Sequence, residues 1–514
     1  MRKVLVFALF LLALNAYSTT YYVSPAGTSG AAGTVGAPLT FSTALGKSLT
    51  AGDSLILRGG TYSFASSLTV SKSGNSTKFF TIVAYPGETP VFDFRTQAYN
   101  SSNQGVKVSG NYILFKGVII QGAGDNGMQV TGSNNVIENC TFRWNCDSGL
   151  QMKTGSNNLI KNCDSYENFD YMTGGTSSPD FGGNADGFAD KQYTNTGTNT
   201  YKGCRAWLNS DDGWDSYEKV GNTVYDSCWC YANGPASYDM TEHIRFKTDS
   251  ASWFFNFKNA SGRYIITNYG NGNGFKVGGN YTANNAVLNH CVSVANTVKG
   301  FDQNNNNGTM TLYNCTGYLN NPDYGFSNSS YGTLLVKNSA SLSSKSSNKL
   351  SAKSVTQSNN SWLSGFSCTA SDFVSLDYTQ LIGSRQSDGT LPDITCLHLV
   401  SSSAMIDKGV DVGLSFLGNA PDLGAFEYKV VTSVSRPDSN SGILAVYIPS
   451  QKQILVQGET DTIEVYNIKG NLLFKKEYRT TDELISAQTW GAGIYIVRSV
   501  SQNKDISISK IVVM

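Results

Sequence analysis

The residues of this sequence that could do chemistry include three carboxylates crowded into one short stretch. Residues 209–218 read NSDDGWDSYE, with Asp211, Asp212 and Asp215 inside five positions. Only 15 % of the chain is charged, and carboxylates packed this closely repel one another unless a cation offsets them. Oxygen donors suit Ca²⁺, which accepts about six to eight oxygens in flexible geometry. Mg²⁺ is less suited to a site built mostly from protein, and Zn²⁺ prefers His and Cys ligands.

A repeat of about two dozen residues determines which residues become neighbours. Three pairs of cysteines are separated by 23, 24 and 24 residues: Cys140 and Cys163, Cys204 and Cys228, Cys291 and Cys315. A second frame, a polar pair followed by Gly and an apolar residue, recurs in DNGMQ (125–129), DSGLQ (147–151), ADGFA (185–189), DDGWD (211–215), GNGFK (272–276), VKGFD (298–302) and DYGFS (323–327). This period, with short alternating strands and Asn/Gly turns, predicts a solenoid of stacked parallel strands.

The repeat also bears on whether the cysteines form disulfides. Ten cysteines in an exported protein could form disulfides. Cysteines at one position of successive rungs would instead fill one column of the core as small buried hydrophobes. We therefore expect the six repeat cysteines to form a ladder of thiols.

Stacking brings two further residues to the carboxylates. Neighbouring rungs lie about 4.8 Å apart, so the frame places Asp186 beside Asp212 and Lys276 beside Asp215. Aspartates that cap turns singly are the alternative for this group, and they explain Asp211 but not the coincidence with Asp186. We therefore expect a cation site built by four aspartates.

Lys276 has two interpretations. An isolated lysine, with a pKa of about 10.4, is a poor base at neutral pH, but a bound cation and burial both disfavour its charged form. Lys276 is then either a catalytic base or one member of a salt bridge to Asp215 or Asp302.

The pattern along the chain predicts an all-β protein in two domains. A basic start, an apolar run and a small-residue exit indicate a secretory signal peptide. A helix around residues 41–50 is expected to cap the open end of the first rung. The predicted segments are the signal peptide (1–18), a parallel β-helix (19–430) with a loop insertion (235–270), a linker (431–442) and a small β-sandwich (443–514).

The overall composition excludes several function classes. The 38 basic and 38 acidic side chains cancel, which leaves no basic face for nucleic acid. Three histidines disfavour a His-based zinc site or a Ser-His-Asp hydrolase. After the signal peptide, no stretch is long and apolar enough to span a membrane. We expect an exported protein that works as a monomer.

Four motifs carry a resemblance to a known family: GGNADGFADKQ (182–192), GCRAWLNSDDGWDSYE (203–218), GNGNGFKVGGN (270–280) and KGFDQNNN (299–306). They resemble the motifs of polysaccharide lyase family nine, whose members are right-handed parallel β-helices and include calcium-dependent pectate lyases. The resemblance implies calcium ligands at Asp186, Asp211, Asp212 and Asp215. It implies that Lys276 is the catalytic base.

The resemblance also implies a reaction and a substrate. The expected partner is pectin, an acidic plant cell-wall polysaccharide, cleaved by β-elimination at galacturonate to leave 4,5-unsaturated oligogalacturonides. Lys191, Arg205 and Asp302 lie near the repeat frame and are candidates for substrate contacts, with ligand-supporting or surface salt bridges as the alternative.

Three other functions remain open from the residues. A pectin-cleaving hydrolase on the same fold would use paired carboxylates to activate water. A rhamnogalacturonan I lyase would use the same elimination chemistry at its galacturonate residues. A non-catalytic glycan-binding β-helix would use calcium only to stiffen the rungs.

The C-terminal segment does not follow the pattern of the repeat. Its NIKGNLL strand–turn–strand, its GAGIYIVR and its final KIVVM resemble the sorting domains of proteins exported by the type IX system of Bacteroidetes. The resemblance implies a secreted or cell-surface protein that crosses the outer membrane. A structural or sugar-binding module is the alternative.

Overall fold

The fold is described from a computed structural model of the whole chain. The described residues are 18–173, 180–194, 197–241, 243–245, 260–429, 444–448, 452–467, 469–477, 480–501 and 506–513. The chain divides into two compact units, Met1–Tyr428 and Lys429–Met514. The predicted signal peptide, apart from residue 18, and the predicted linker lie outside the described residues.

The first unit is a parallel β-helix, as the repeat predicts. Each turn adds one short strand to each of three parallel sheets, named here the back, side and front sheets. The back sheet consists of Thr20–Val23, Ser54–Leu57, Phe80–Ala84, Ile113–Lys116, Val136–Glu138, Leu159–Lys161, Thr198–Lys202, Gly221–Asp226, Asn284–Asn289, Thr309–Tyr313, Thr333–Lys337 and Ser354–Ser358. The side sheet consists of Gly60–Ser63, Pro90–Asp93, Ile119–Gln121, Thr141–Arg143, Asp164–Tyr166, Arg205–Trp207, Trp229–Tyr231, Val292–Val294, Thr316–Tyr318 and Ala340–Leu342. The front sheet consists of Leu68–Val70, Val106–Val108, Met128–Val130, Leu150–Met152, Phe188–Asp190, Trp214–Asp215, Phe275–Lys276, Phe301–Asp302, Tyr324–Ser327 and Lys349–Ser351.

The apolar residue of the repeat frame fills the core behind the front sheet. Phe188, Trp214, Phe275 and Phe301 are buried and stack ring on ring, with centroids 5.1, 4.7 and 5.3 Å apart. The position before this apolar residue requires glycine for steric reasons, because a Cβ on Gly213 would lie 2.6 Å from the Gly274 carbonyl oxygen. Stacking of equivalent positions therefore holds the front strands at a constant spacing.

The six repeat cysteines form the predicted ladder of buried thiols. All ten cysteines lie in described parts of the chain, and none is in a disulfide. Each ladder thiol donates a weak hydrogen bond to a main-chain carbonyl of the previous rung, as Cys163 Sγ does to the Ile137 oxygen at 3.4 Å. The ladder column therefore packs the core and also satisfies main-chain acceptors.

A second ladder, of asparagines, lies five residues after each ladder cysteine. Each side chain donates Nδ2–H to the Oδ1 of the next at 2.8–3.0 Å, in the order Asn145, Asn168, Asn209, Asn233, Asn296 and Asn320. These amides are buried and satisfy main-chain N–H groups at the bend between side and front strands. They stabilise the bends that lead into the front strands.

The N-terminal cap is shorter than the sequence predicts. The helix covers Phe41–Leu45, where the Thr40 hydroxyl accepts the N–H of Thr43 and Gly46 ends the helix. Phe41 and Ala44 are buried against the first rungs, so this helix does cover the apolar end.

The strands of the β-helix end earlier than residue 430. The last rung ends at Ser358, and residues 359–428 contain two short 3-10 helices, Ala370–Asp372 and Tyr378–Ile382. This segment packs along the side sheet, where Leu381 and Leu423 share a buried cluster with Val292. It lacks the repeat's alternation because it covers a sheet face and does not extend the sheet.

The predicted insertion at 235–270 contains an antiparallel hairpin, Ser237–Asp239 with Ile265–Thr267. Met240 and Ile266 bury against Phe169 and Tyr171. Residues 242 and 246–259 of the insertion lie outside the described residues. The described part is therefore anchored to the β-helix by its own apolar cluster.

The second unit consists of antiparallel strands. One sheet contains Leu444–Ile448, Gln453–Thr460 and Thr480–Ser486, and the other contains Leu472–Lys476, Thr462–Asn467, Gly493–Val500 and Ile506–Val513. Val456 of the first sheet and Val465 and Val497 of the second share one buried core, as expected for a small β-sandwich. Across the described residues of both units, no helix has the length and apolar character needed to cross a membrane.

Candidate active site

Three of the predicted carboxylates meet on the front sheet. Asp186 precedes the strand Phe188–Asp190, and Asp212 and Asp215 lie on the next rung. One oxygen from each of these three aspartates lies within 4.8 Å of the others, and all three side chains are buried. The Asp212 N–H donates to Asp186 Oδ1 at 3.2 Å, which ties the two rungs together at the cluster.

Two lysines partly offset the charge of this cluster. Lys191 Nζ lies 2.9 Å from Asp186 Oδ2 and 2.8 Å from Asp215 Oδ2. Lys276 Nζ lies 3.0 Å from Asp212 Oδ2 and 3.4 Å from Asp215 Oδ1. The register is the predicted one, with Asp215 opposite Lys276 on the neighbouring strand. Both lysines are therefore brought to the aspartates.

Burial and charge act in opposite directions on the carboxylates. Burial raises the pKa of Asp186 to about 7, although Lys191 opposes it. Burial also raises the pKa of Asp212. The pKa of Asp215 is lowered, because Lys191 and Lys276 together outweigh its burial. Asp215 is thus the carboxylate with the firmest negative charge in the cluster.

The same balance keeps Lys276 charged. Burial alone lowers the pKa of this amine, but the carboxylates of Asp212 and Asp215 outweigh burial and hold its pKa well above the ordinary value. A lysine in this state donates hydrogen bonds and does not accept a proton. A second cation that engaged these carboxylates would lower the pKa of the amine.

Asp211 stands apart from the other three predicted ligands. Its Oδ1 accepts the N–H of Asn271 at 2.6 Å, and burial raises its pKa well above the usual range. The three-carboxylate group does not include it. Its neighbour Asp212 provides one of the three carboxylates of that group.

The donor set fits a hard divalent cation. The cluster offers only carboxylate oxygens, the ligands that Ca²⁺ prefers. Asp212 Oδ2 is buried and receives no hydrogen bond of good geometry, although the Lys276 ammonium lies nearby. A buried anionic oxygen without a hydrogen bond is costly, and a coordinated cation would satisfy it.

A cleft of about 320 Å³ opens beside Lys276. Its walls include Tyr217, Asn273, Lys299 and Asp302. Asp302 is the register partner of Lys276 on the next strand, but its Oδ1 accepts a hydrogen bond from Lys299 Nζ at 2.8 Å. The buried amine of Lys276 therefore faces a space that a ligand can enter.

Arg205 is not part of this site. It lies on the side sheet, where its guanidinium is bidentate to Asp164 and also donates to the carbonyls of Leu381 and Gly383. Arg385 binds the same Asp164 carboxylate. These contacts fasten the segment after the last rung to the side sheet. Arg205 is near the frame motif in sequence but lies on the side sheet, and it is therefore remote from a site built on the front sheet.

Lys299 and Tyr217 are cleft residues that were absent from the predicted site. Lys299 occupies the position before the frame glycine, the same position as Asp186 and Asp212, so the frame itself was the signal. Tyr217 follows Asp215 by two residues, and its ring centroid lies 5.7 Å from Lys276 Nζ.

Comparisons with known proteins agree with this architecture. Residues 21–348 match the family model for the Pel9A-like right-handed β-helix region, and residues 443–514 match the secretion system C-terminal sorting domain. The chain is 36 % identical over 420 residues to pectate lyase L of Dickeya dadantii, covering 79 % of this chain and 90 % of that protein. It is 33 % identical over 380 residues to pectate lyase L of Paenibacillus polymyxa, covering 70 % and 77 %.

Solved structures show the same fold. The crystal structure of pectate lyase Pel9A superposes with a TM-score of 0.66 at 34 % identity, covering 80 % of this chain and 98 % of that chain. A rhamnogalacturonan lyase superposes with a TM-score of 0.61 at 24 % identity, covering 75 % and 97 %, a likeness of fold alone. The chain belongs to the Pel9A-like right-handed β-helix family of polysaccharide lyases and carries a secretion sorting domain at its C-terminus.

Proposed function

We propose that this protein is a calcium-dependent lyase that cleaves galacturonate-containing pectin by β-elimination, with Lys276 as the base. The observation that carries the proposal is the contact of the buried Lys276 amine with a carboxylate cluster at the edge of an open cleft. The relatives named pectate lyase support pectate as the substrate.

The proposed calcium ligands are Asp186, Asp212 and Asp215, with Asp211 as a fourth carboxylate beside them. These aspartates would hold a calcium ion, which would supply Lewis-acid chemistry toward the carboxylate of the substrate. The carboxylates that keep Lys276 protonated would then be engaged by the cation, which would favour the neutral amine. Lys191 stays against Asp186 and Asp215, so its proposed role is to balance the charge of the ligands. A direct contact of Lys191 with the substrate is the alternative.

The proposed reaction is an elimination, and it consumes no water. Neutral Lys276 takes the proton from C5 of the galacturonate. The electron pair of the C5–H bond forms the double bond between C4 and C5, and the bond from C4 to the glycosidic oxygen breaks. The departing sugar leaves with that oxygen and the electron pair of the broken bond. The oxygen takes a proton from solvent, and Lys276 returns the C5 proton to solvent, so that no water is consumed overall. The product ends in a 4,5-unsaturated uronide.

The site suits elimination better than hydrolysis. An inverting or retaining hydrolase needs two carboxyl groups, one of them held protonated as the acid, on either side of the bond. In this cluster one oxygen from each of the three aspartates lies within 4.8 Å of the others, and the aspartates share two lysine partners. The arrangement therefore supports a cation site with an adjacent amine.

The proposed location is outside the cell or on its surface. The sorting domain at residues 443–514 is the observation that supports export by the type IX route, with the N-terminal segment as the signal for the first membrane. Cell fractionation before and after removal of residues 443–514 tests this route, and the truncated protein is expected to remain inside the outer membrane.

The activity is tested by ultraviolet absorbance of the unsaturated product. Polygalacturonate treated with the protein is expected to yield absorbing product in the presence of calcium and none after chelation. Activity that survives both chelation and Lys276→Met would contradict the mechanism. A protein that binds pectin without releasing product would instead be a glycan-binding β-helix.

A further inference from the structure

The cleft beside Lys276 contains a second lysine that the proposed chemistry does not use. Lys299 lies one rung beyond Lys276, and its side chain is 30 % exposed, compared with 10 % for Lys276. It lines the same cleft as Lys276 and Tyr217. Its ammonium is therefore accessible to a ligand that reaches the base.

Two contacts hold Lys299 in position. Its Nζ donates to Asp302 Oδ1 at 2.8 Å, and that oxygen also accepts the N–H of Asn304 at 3.0 Å. Its stem lies against Gly325, where an added Cβ would approach Lys299 Cδ to 2.4 Å. The long side chain has thus lost much of its freedom before any ligand binds, which favours binding.

The Lys299 ammonium has different neighbours from the ammonium groups of Lys191 and Lys276. Lys191 and Lys276 each contact two carboxylates of the cluster. Lys299 contacts Asp302 outside the cluster, and an ammonium has three N–H donors. Donors therefore remain to bind an anionic group in the cleft.

We propose that Lys299 binds the carboxylate of the sugar next to the reacting galacturonate, and so selects chains of consecutive uronates. This proposal rests on the proposed function, which places C5 of the reacting sugar at Lys276 and the carboxylate of that sugar at the cation site of the aspartates. In homogalacturonan every sugar carries a carboxylate. In rhamnogalacturonan I the sugar on either side of galacturonate is neutral, so Lys299 has no neighbouring carboxylate to bind.

The test compares initial rates on polygalacturonate and on rhamnogalacturonan I at fixed ionic strength, because salt screens charge contacts. The variants are Lys299→Met and Lys299→Arg. The matched control is Lys202→Met, which removes another lysine paired with an aspartate, Asp226, on the back sheet. Melting temperatures of all variants check folding.

The wild type is expected to cleave polygalacturonate faster than rhamnogalacturonan I. Lys299→Met is expected to raise KM for polygalacturonate by about tenfold or more, the effect of losing one charge-assisted hydrogen bond. Its kcat is expected to stay within about threefold, since uniform binding is removed. Lys299→Arg is expected to restore most of the affinity, and Lys202→Met to behave as wild type.

Several results would overturn the proposal. One is an unchanged KM in Lys299→Met, and another is an equal loss on both polymers, as a purely structural pair with Asp302 would give. A wild type that prefers rhamnogalacturonan I also overturns it. If Lys299→Met has a lowered melting temperature, Asp302→Asn is measured as well, because it keeps Lys299 and removes the carboxylate that positions it. The proposal then requires a higher KM for polygalacturonate and an unchanged KM for rhamnogalacturonan I. No unsaturated product from any polymer would instead reject the proposed function.

Discussion

Lys276 and Asp215 are direct register partners on neighbouring parallel strands, and Lys276 Nζ lies 3.4 Å from Asp215 Oδ1. The same carboxylate contacts Lys191 through its other oxygen. Asp215 therefore joins the proposed base to the proposed cation site. Whatever binds Asp215 also changes the electrostatic environment of Lys276.

Replacing Lys276 by Met is expected to abolish elimination and preserve the cation site. The methionine keeps an unbranched stem in the buried position but cannot take a proton. We expect kcat to fall by about 10²–10⁴-fold, measured by absorbance of the unsaturated product. Calorimetry should show calcium binding at least as tight as in the wild type, because one competing positive charge is gone. Weakened binding together with a lowered melting temperature would indicate a structural role.

Replacing the cluster aspartates by Asn is expected to weaken calcium binding unequally. Asp186→Asn, Asp212→Asn and Asp215→Asn should each lower affinity about tenfold or more, since each removes a charged ligand. Asp211→Asn should lower it less, because that side chain is held by the Asn271 N–H and lies outside the group of three. Titration calorimetry measures the order, with Asp226→Asn on the back sheet as control. An equal loss in all four would place Asp211 among the direct ligands.

Calcium affinity is expected to rise with pH. Burial raises the pKa of Asp186 to about 7, so its carboxyl is protonated below that pH and ionised above it. Protons compete with the cation for this oxygen, and affinity should therefore increase between about pH 6 and pH 8. Calorimetry across this range measures the effect, and Asp186→Asn should flatten it. A wild-type affinity independent of pH would contradict the assignment.

Lys191→Met is expected to tighten calcium binding. Its ammonium contacts Asp186 and Asp215, two of the proposed ligands, and so competes with a cation for them. The shift of melting temperature on adding calcium should be larger in the variant than in the wild type. A rise in KM for polygalacturonate with unchanged calcium affinity would show instead that Lys191 contacts the substrate.

The asparagine ladder is expected to contribute to stability at its centre. Asn233 is buried, donates to Asn296 Oδ1 at 2.9 Å and accepts from Asn209. Asn233→Ala removes the oxygen that accepts both the main-chain N–H and an Nδ2–H of Asn209, and should lower the free energy of unfolding by about 1–3 kcal/mol. The control is the exposed Asn285, whose Nδ2–H donates a hydrogen bond to Asn222 Oδ1. Its replacement by Ala should lower the free energy of unfolding by less than about 0.5 kcal/mol. Equal effects would rule out a special role for the ladder.

One part of the predicted register was wrong. Alignment of the motif DYGFS by its glycine predicts Gly325 opposite Gly300, but the strands pair Tyr324 with Phe301 and Gly325 with Asp302. The aromatic column decides this register, because Tyr324 continues the ring stack at 5.0 Å from Phe301. Burial of a large ring stabilises more than alignment of two glycines does.

The asparagine ladder could have been found in the sequence. Each of its members follows a ladder cysteine by five residues, as Asn233 follows Cys228. The spacing is hard to see in the sequence because asparagine is common throughout the turns and stands out less than cysteine. Repeated spacing, more than residue type, carries the information in a solenoid.

The sequence by itself determined the solenoid, the columns of its core and the approach of Asp186, Asp212, Asp215 and Lys276, because equal positions of successive rungs stack at strand spacing. Only the tertiary structure decided how the charges pair. Lys191 pairs with Asp186 and Asp215, Arg205 pairs with Asp164 within the side sheet, and Lys299 pairs with Asp302 at the cleft. The reason is physical: the repeat sets where a strand residue lies, whereas the direction of a side chain at a bend depends on the packing and charges around it.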